Sequence, residues 1–123
     1  MIKKKPQDHN VLDSPYAREM RKILDESEYS NMGLAVAVDL IPMAAHFHRT
    51  FDEIYYVLEG DMDFEFYDPA NDKGWTEQLH ANDTLVVSKG VHHKVIKASP
   101  NNRLLVISIP PYHADDEIPS DKI

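Results

Sequence analysis

The chain of 123 residues contains no cysteine. Disulfides and thiolate ligands are therefore excluded, and any metal site has to be built from nitrogen and oxygen donors. No apolar run approaches the ~18 residues needed to span a bilayer, and the N-terminus lacks an apolar h-region. A cytoplasmic protein with no membrane partner is the expectation. Basic residues are outnumbered, with 13 Lys and Arg against 21 Asp and Glu and a formal net charge of -8. The summed field opposes extended contact with phosphate backbones, so no nucleic-acid partner is expected. Lys3-Lys4-Lys5 is the only basic run, and at a chain end it reads as a solvated tail. Also missing are a nucleophile motif and a glycine-rich loop able to cradle phosphate.

What is present suits one domain with a single core, since 42% of the residues are hydrophobic in a chain of this length. Three segments divide it. Residues 1–33 form an N-terminal arm ending in a short helix, predicted from Ser14 as N-cap and Pro15 at the first helical position. Tyr16, Met20, Ile23 and Leu24 make its apolar stripe at i, i+4, i+7 and i+8, to pack on the outside of the barrel. Residues 34–111 carry short β-rich runs at 34–41, 62–67, 75–79, 84–87, 92–97 and 104–109, separated by turn residues. That spacing indicates an all-β sandwich or barrel. Trp75 to Leu79 reads as an edge strand. Residues 112–123, after Pro110-Pro111, are an acidic, mostly polar tail.

The chemistry concentrates in His46 to Gly60. A strand sends alternate side chains to one face, so His46 and His48 project together, about 7 Å apart along the strand. Glu53 has the wrong parity to join them unless the chain bends between Arg49 and Asp52. Beyond the bend, Glu53, Tyr55 and Val57 share one face and Ile54, Tyr56 and Leu58 the other, as in a strand inside a barrel or sandwich. Glu59-Gly60-Asp61 then reads as a hairpin turn into Met62-Asp63-Phe64-Glu65-Phe66, whose alternation points Met62, Phe64 and Phe66 inward. A second half-site lies at Val91-His92-His93-Lys94-Val95, just after Gly90. Neighbours alternate in a regular strand, so only one of His92 and His93 can face the lumen.

With both segments in view, the sequence resembles the cupin superfamily. Its first motif is G(X)5HXH(X)3,4E(X)6G, which His46, His48, Glu53 and Gly60 match in residue and spacing. Its second is G(X)5PXG(X)2H(X)3N, in which Gly90 and His93 match, and this selects His93 over His92. Leu40, Asn82, Ser88 and Lys97 depart from the motifs at backbone or turn positions, and Asn82 can keep a glycine turn because asparagine tolerates positive φ. The resemblance covers roughly 34 to 111. It implies a double-stranded β-helix of the jelly-roll kind and a divalent metal ion (Fe, Mn, Ni, Co or Zn) held by His46, His48, Glu53 and His93. It also implies a small single-domain cupin, often a homodimer.

Function follows as a metal-dependent enzyme acting on a small polar organic molecule, of dioxygenase, isomerase or lyase type. The alternative is a non-catalytic module that binds a metal or a sugar-like ligand. Tyr55 shares a face with Glu53 and is the candidate catalytic hydroxyl, with ordinary barrel packing as the other reading. His92 is expected to face outward or to support the ligands from behind. His9, His80 and His113 fall in termini or turns and are expected to be solvated.

Overall fold

Period-two alternation of apolar residues writes most of the strands, and a computed structural model describes how all 123 residues arrange them. The strands are β1 (Asn10–Leu12), β2 (Ala17–Leu24), β3 (Gly33–Leu40), β4 (His46–Phe47), β5 (Asp52–Glu59) and β6 (Met62–Asp68). They continue as β7 (Lys73–Leu79), β8 (Thr84–Val87), β9 (His92–Ala98), β10 (Arg103–Ile109) and β11 (Ile118–Pro119). Two antiparallel sheets result, one in the order β1-β2-β3-β10-β5-β8 and the other β11-β4-β9-β6-β7. Tyr55 and Val57 from the first sheet pack against Met62, Phe64, Phe66 and Val95 from the second, and Ala17, Ala37, Leu40, Leu79, Val87 and Leu104 complete the buried cluster. The architecture is a jelly-roll barrel formed by two sheets closing on a common core. Strand β7 lies at a sheet edge, as its sequence suggests.

The helix expected near the N-terminus does not form. Residues 17 to 24 are β2, paired antiparallel to β3 through Ala17↔Leu40, Glu19↔Val38, Met20↔Ala37 and Arg21↔Val36. A helical stripe and a strand face share members here: Met20, Lys22 and Leu24 alternate onto a cavity wall. Strand β3 would otherwise offer a row of unpaired backbone groups at the edge of the barrel. Long-range pairing with that edge outweighs the weak local preference for helix.

The hairpin read at Gly60 is also corrected. Strands β5 and β6 are consecutive but belong to different sheets, so Glu59-Gly60-Asp61 is a corner across the barrel. Gly60 takes φ +82°, and a Cβ there would stand 2.7 Å from Ser99 Oγ and 2.9 Å from Asn102 Cβ. Only glycine fits this backbone conformation and this close approach without strain. Asn82, at a position where the resemblance expects glycine, adopts φ +74°. Asn102 is buried: its side-chain oxygen accepts from Leu40 N at 3.0 Å and its amide donates to Ser99 O at 2.8 Å, tying the β9–β10 turn to the end of β3.

Candidate metal centre

The chain leaves one sheet after Phe47 and enters the other at Asp52, so the intervening bend turns Glu53 toward the two preceding histidines. Strand β9 brings the remaining imidazole, with His93 directly opposite His46 in the β4–β9 pairing. One nitrogen from each of His46, His48 and His93 lies within 4.8 Å of the others. Glu53 Oε1 stands 3.2 Å from His48 Nε2 and 3.3 Å from His93 Nε2. Tyr55 donates its hydroxyl to the same Oε1 at 3.0 Å. All four of His48, Glu53, Tyr55 and His93 are buried.

Tautomers follow from the acceptors. His48 Nδ1 faces the Asp116 carbonyl at 2.7 Å and His93 Nδ1 faces the Val91 carbonyl at 3.0 Å. A carbonyl only accepts, so both Nδ1 atoms carry the hydrogen and, in the neutral rings, both Nε2 atoms present lone pairs. Those two Nε2 atoms are buried with no hydrogen-bond partner, and they face a carboxylate oxygen that also offers lone pairs. Burying three acceptors against one another is costly unless a proton or a cation lies among them. A metal ion meets the need. Cis donors on an ion with bonds of about 2.1 Å are spaced about 3.0 Å apart in an octahedron and about 3.4 Å in a tetrahedron, which brackets the two nitrogen–oxygen distances.

Electrostatics prepare the donors in the absence of an ion. Burial, with added repulsion from His93 and His48, pushes the pKa of His46 down to about 3, so its imidazole is neutral. Burial acts on Glu53 in the opposite sense, but the imidazoles of His48 and His93, 3.2 and 3.3 Å from its carboxylate oxygen, stabilise the charged form when protonated, outweigh burial and hold the carboxyl well below its ordinary range. His48 is raised because Glu53 and the Asp116 carbonyl together overcome the effect of burial. Tyr55 is raised well above an ordinary phenol, first by burial and then by the Glu53 charge, so its hydroxyl stays a donor.

The centre opens on a cavity of about 360 Å³. Its inner wall is apolar, with Ala37, Leu40, Phe64, Val95 and Leu104, and its polar end holds the histidines, Glu53, Tyr16, Tyr112 and Glu117. The Tyr16 ring lies 4.6 Å from the His46 ring, centroid to centroid. Lys22 is the only lysine or arginine in the lining, against Asp13, Asp25, Glu26, Glu53 and Glu117.

The other histidines stand elsewhere. His92 points away from the triad, stacks on Phe47 at 4.2 Å and meets Ser120 Oγ through Nδ1 at 2.6 Å. It is buried because the C-terminal segment covers it. His80 and His113 are exposed and pair with Asp61 and Glu26, and His9 is half-buried. What the sequence did not reveal is the part played by that C-terminal segment: Asp116, Glu117 and Ser120 all reach the site or its supports. Nothing in the spacing of an acidic tail marks it for this, because the partners of Asp116 are backbone groups more than 60 residues away.

No protein-family model matches the sequence, and no curated protein matches it. Solved structures match the fold. A tryptophan-to-phenylalanine variant of the oxalate decarboxylase of Bacillus subtilis superposes over 93% of this chain with TM-score 0.77 at 15% identity. The same enzyme at pH 4.6 matches over 92% with TM-score 0.77 at 13% identity. This chain spans only 31% and 30% of those two chains. KdgF from Halomonas sp. is similar in size: the match covers 90% of this chain and 94% of that one, with TM-score 0.69 and 17% identity. The chain thus has the fold of these proteins, a cupin-type jelly roll, and carries a histidine triad at which a metal ion can bind.

Proposed function

We propose that the protein is a metal-dependent cupin enzyme acting on a small polar organic molecule, with His46, His48, His93 and Glu53 as the ligands of one divalent ion. One observation carries the reading: two buried Nε2 lone pairs, their Nδ1 hydrogens already spent on backbone carbonyls, face a carboxylate oxygen. Nitrogen and oxygen donors without sulfur suit Fe, Mn, Ni, Co or Zn, and the oxalate decarboxylase of Bacillus subtilis carries Mn(II) centres. When bound, the ion supplies Lewis acidity and a template for a chelating substrate.

The chain's own residues do the rest. Tyr55 orients Glu53 through its hydrogen bond and holds a proton beside it. Tyr16 and Tyr112 offer further hydroxyls at the polar end, and Ala37, Leu40, Phe64, Val95 and Leu104 give an apolar wall for the rest of a substrate. A lining with one lysine among five acidic residues gives no pair of cations to clamp a dicarboxylate. A small, oxygen-bearing and weakly charged substrate fits better. Dioxygenation, isomerisation and lyase chemistry are all consistent with such a site, and a cytoplasmic setting is the one we favour.

A homodimer is the assembly we favour. Strands β5, β8 and β10 leave Leu58, Val86 and Ile109 exposed on one sheet, and a second copy of the chain covering that sheet would bury them. The functional test is a screen of metal-loaded protein against small hydroxy-carbonyl compounds. Turnover that disappears in His93→Ala while the circular dichroism spectrum is unchanged supports the enzyme reading. Turnover that is equal in that variant removes it.

A further inference from the structure

We infer that Asp116, in the C-terminal segment, is a positioning residue for the metal centre, holding both His48 and the bend that delivers Glu53. This rests on the four-donor reading above. Only four residues separate His48 from Glu53, and within them the chain crosses from one sheet to the other. The backbone N–H groups of Arg49 and Thr50 have no strand partner in that bend. Asp116 supplies one: its Oδ1 accepts from Arg49 N at 2.8 Å, and its Oδ2 accepts from Thr50 N at 2.8 Å and from Thr50 Oγ1 at 2.6 Å. The backbone carbonyl of the same residue accepts from His48 Nδ1 at 2.7 Å and so sets the tautomer that turns Nε2 toward Glu53.

One buried residue therefore fixes the orientation of one ligand and the path of the chain to the next. The segment is itself anchored beside the site. Strand β11 pairs Ile118 with Phe47 and Pro119 with His46, and Ser120 N donates to Ala45 O at 2.9 Å. Carbonyl and carboxylate partners of ligating imidazoles tune affinity in this way generally, and their loss costs about 10- to 100-fold in metal binding. Because coupling is reciprocal, the metal in turn holds the segment in place by the same factor.

The test measures Mn(II) and Zn(II) affinity of the whole protein by competition with a chromophoric chelator. Asp116→Ala removes all three carboxylate bonds and is expected to bind about 10- to 100-fold more weakly, while the metal-free variant keeps its cooperative unfolding. Asp116→Asn retains one acceptor oxygen and falls between. His80→Ala, which removes only the exposed pair with Asp61, binds like wild type. Hydrogen exchange at the Arg49 and Thr50 amides is slowed by metal in wild type and much less in Asp116→Ala. Affinity in Asp116→Ala within twofold of wild type overturns the inference, even where that variant loses thermal stability. If Asp116→Ala fails to fold, Thr50→Val removes only the hydroxyl bond, and an affinity equal to wild type then overturns it. A wild-type protein that binds neither ion instead refutes the four-donor reading beneath it.

Discussion

Two glycines with the same backbone conformation and different surroundings give a matched pair of substitutions. Gly60 and Gly90 have φ +82° and +87°, so alanine at either position suffers left-handed strain of about 1–2 kcal/mol. The restricted unfolded chain offsets about 0.4–1 kcal/mol of that. At Gly90 a new Cβ has nothing within 4 Å, and the net loss should be about 1 kcal/mol. At Gly60 the Cβ meets Ser99 Oγ at 2.7 Å, Asn102 Cβ at 2.9 Å and Asn102 Cα at 3.1 Å. Ser99 Oγ can swing away only by giving up its bond from Asp61 N, worth about 1 kcal/mol. Asn102 is held on both sides by buried hydrogen bonds to Leu40 and Ser99, and shifting it costs about another 1 kcal/mol.

Gly60→Ala should therefore lose about 3 kcal/mol against about 1 for Gly90→Ala. At about 4 °C per kcal/mol for a domain of this size, the melting temperatures should drop by about 12 °C and about 4 °C. Thermal unfolding followed by far-ultraviolet circular dichroism, with urea midpoints as a second measure, reads both. Equal losses in the two variants would show that backbone strain alone sets the effect and that the packing described at the Gly60 corner is wrong.

Acid offers another check. In metal-free protein His46 binds its proton only near pH 3, whereas in the unfolded chain it does so near 6.5. The unfolded state thus holds more protons between those values, and stability should fall with acidification by up to about 1.4 kcal/mol per pH unit. His48, raised in the fold, opposes this trend near the upper end of the range, His92, lowered by burial, adds to it, and the depressed Glu53 acts at lower pH. Urea midpoints that do not change over this range would contradict the burial assigned to His46. Adding Mn(II) or Zn(II) at 100 times its dissociation constant should stabilise wild type by about 2.7 kcal/mol, a rise of about 10 °C, and should leave His93→Ala unmoved; a rise of the same size in that variant would place the ion elsewhere. If the exposed apolar residues of the larger sheet meet in a homodimer, Val86→Glu should shift the sedimentation of the protein from dimer to monomer, and an unchanged sedimentation coefficient would argue against that face.

Most of the barrel could be read in advance because its strands carry their own pattern. Met62, Phe64 and Phe66 alternate with Asp63 and Glu65, and all three lie in the core. Turn residues were equally informative: Asn82 takes the positive φ expected of it, and Gly60 and Gly90 do the same. The donors of the metal centre were legible as a spacing, since a short HXH run, a carboxylate a bend later and a third histidine after a glycine turn are all local signals. Less legible was anything decided by distant backbone. Residues 17 to 24 have a helical stripe, and only the open edge of β3 makes them a strand. Glu59-Gly60-Asp61 reads as a hairpin because the residues of a corner and of a hairpin are alike, and which sheet β6 joins depends on its pairing with β7 and β9. Asp116 and Asn102 act on backbone groups far along the chain, where no periodicity records the partnership.

The account stands on an ion held by four side chains, and metal content measures that directly. Protein purified without chelator, loaded with Mn(II) or Zn(II) and then desalted, should retain one equivalent per chain by elemental analysis, while His46→Ala and His93→Ala, folded by circular dichroism, should retain almost none. No stoichiometric metal in wild type under any loading condition, or one equivalent retained in both variants, would contradict it.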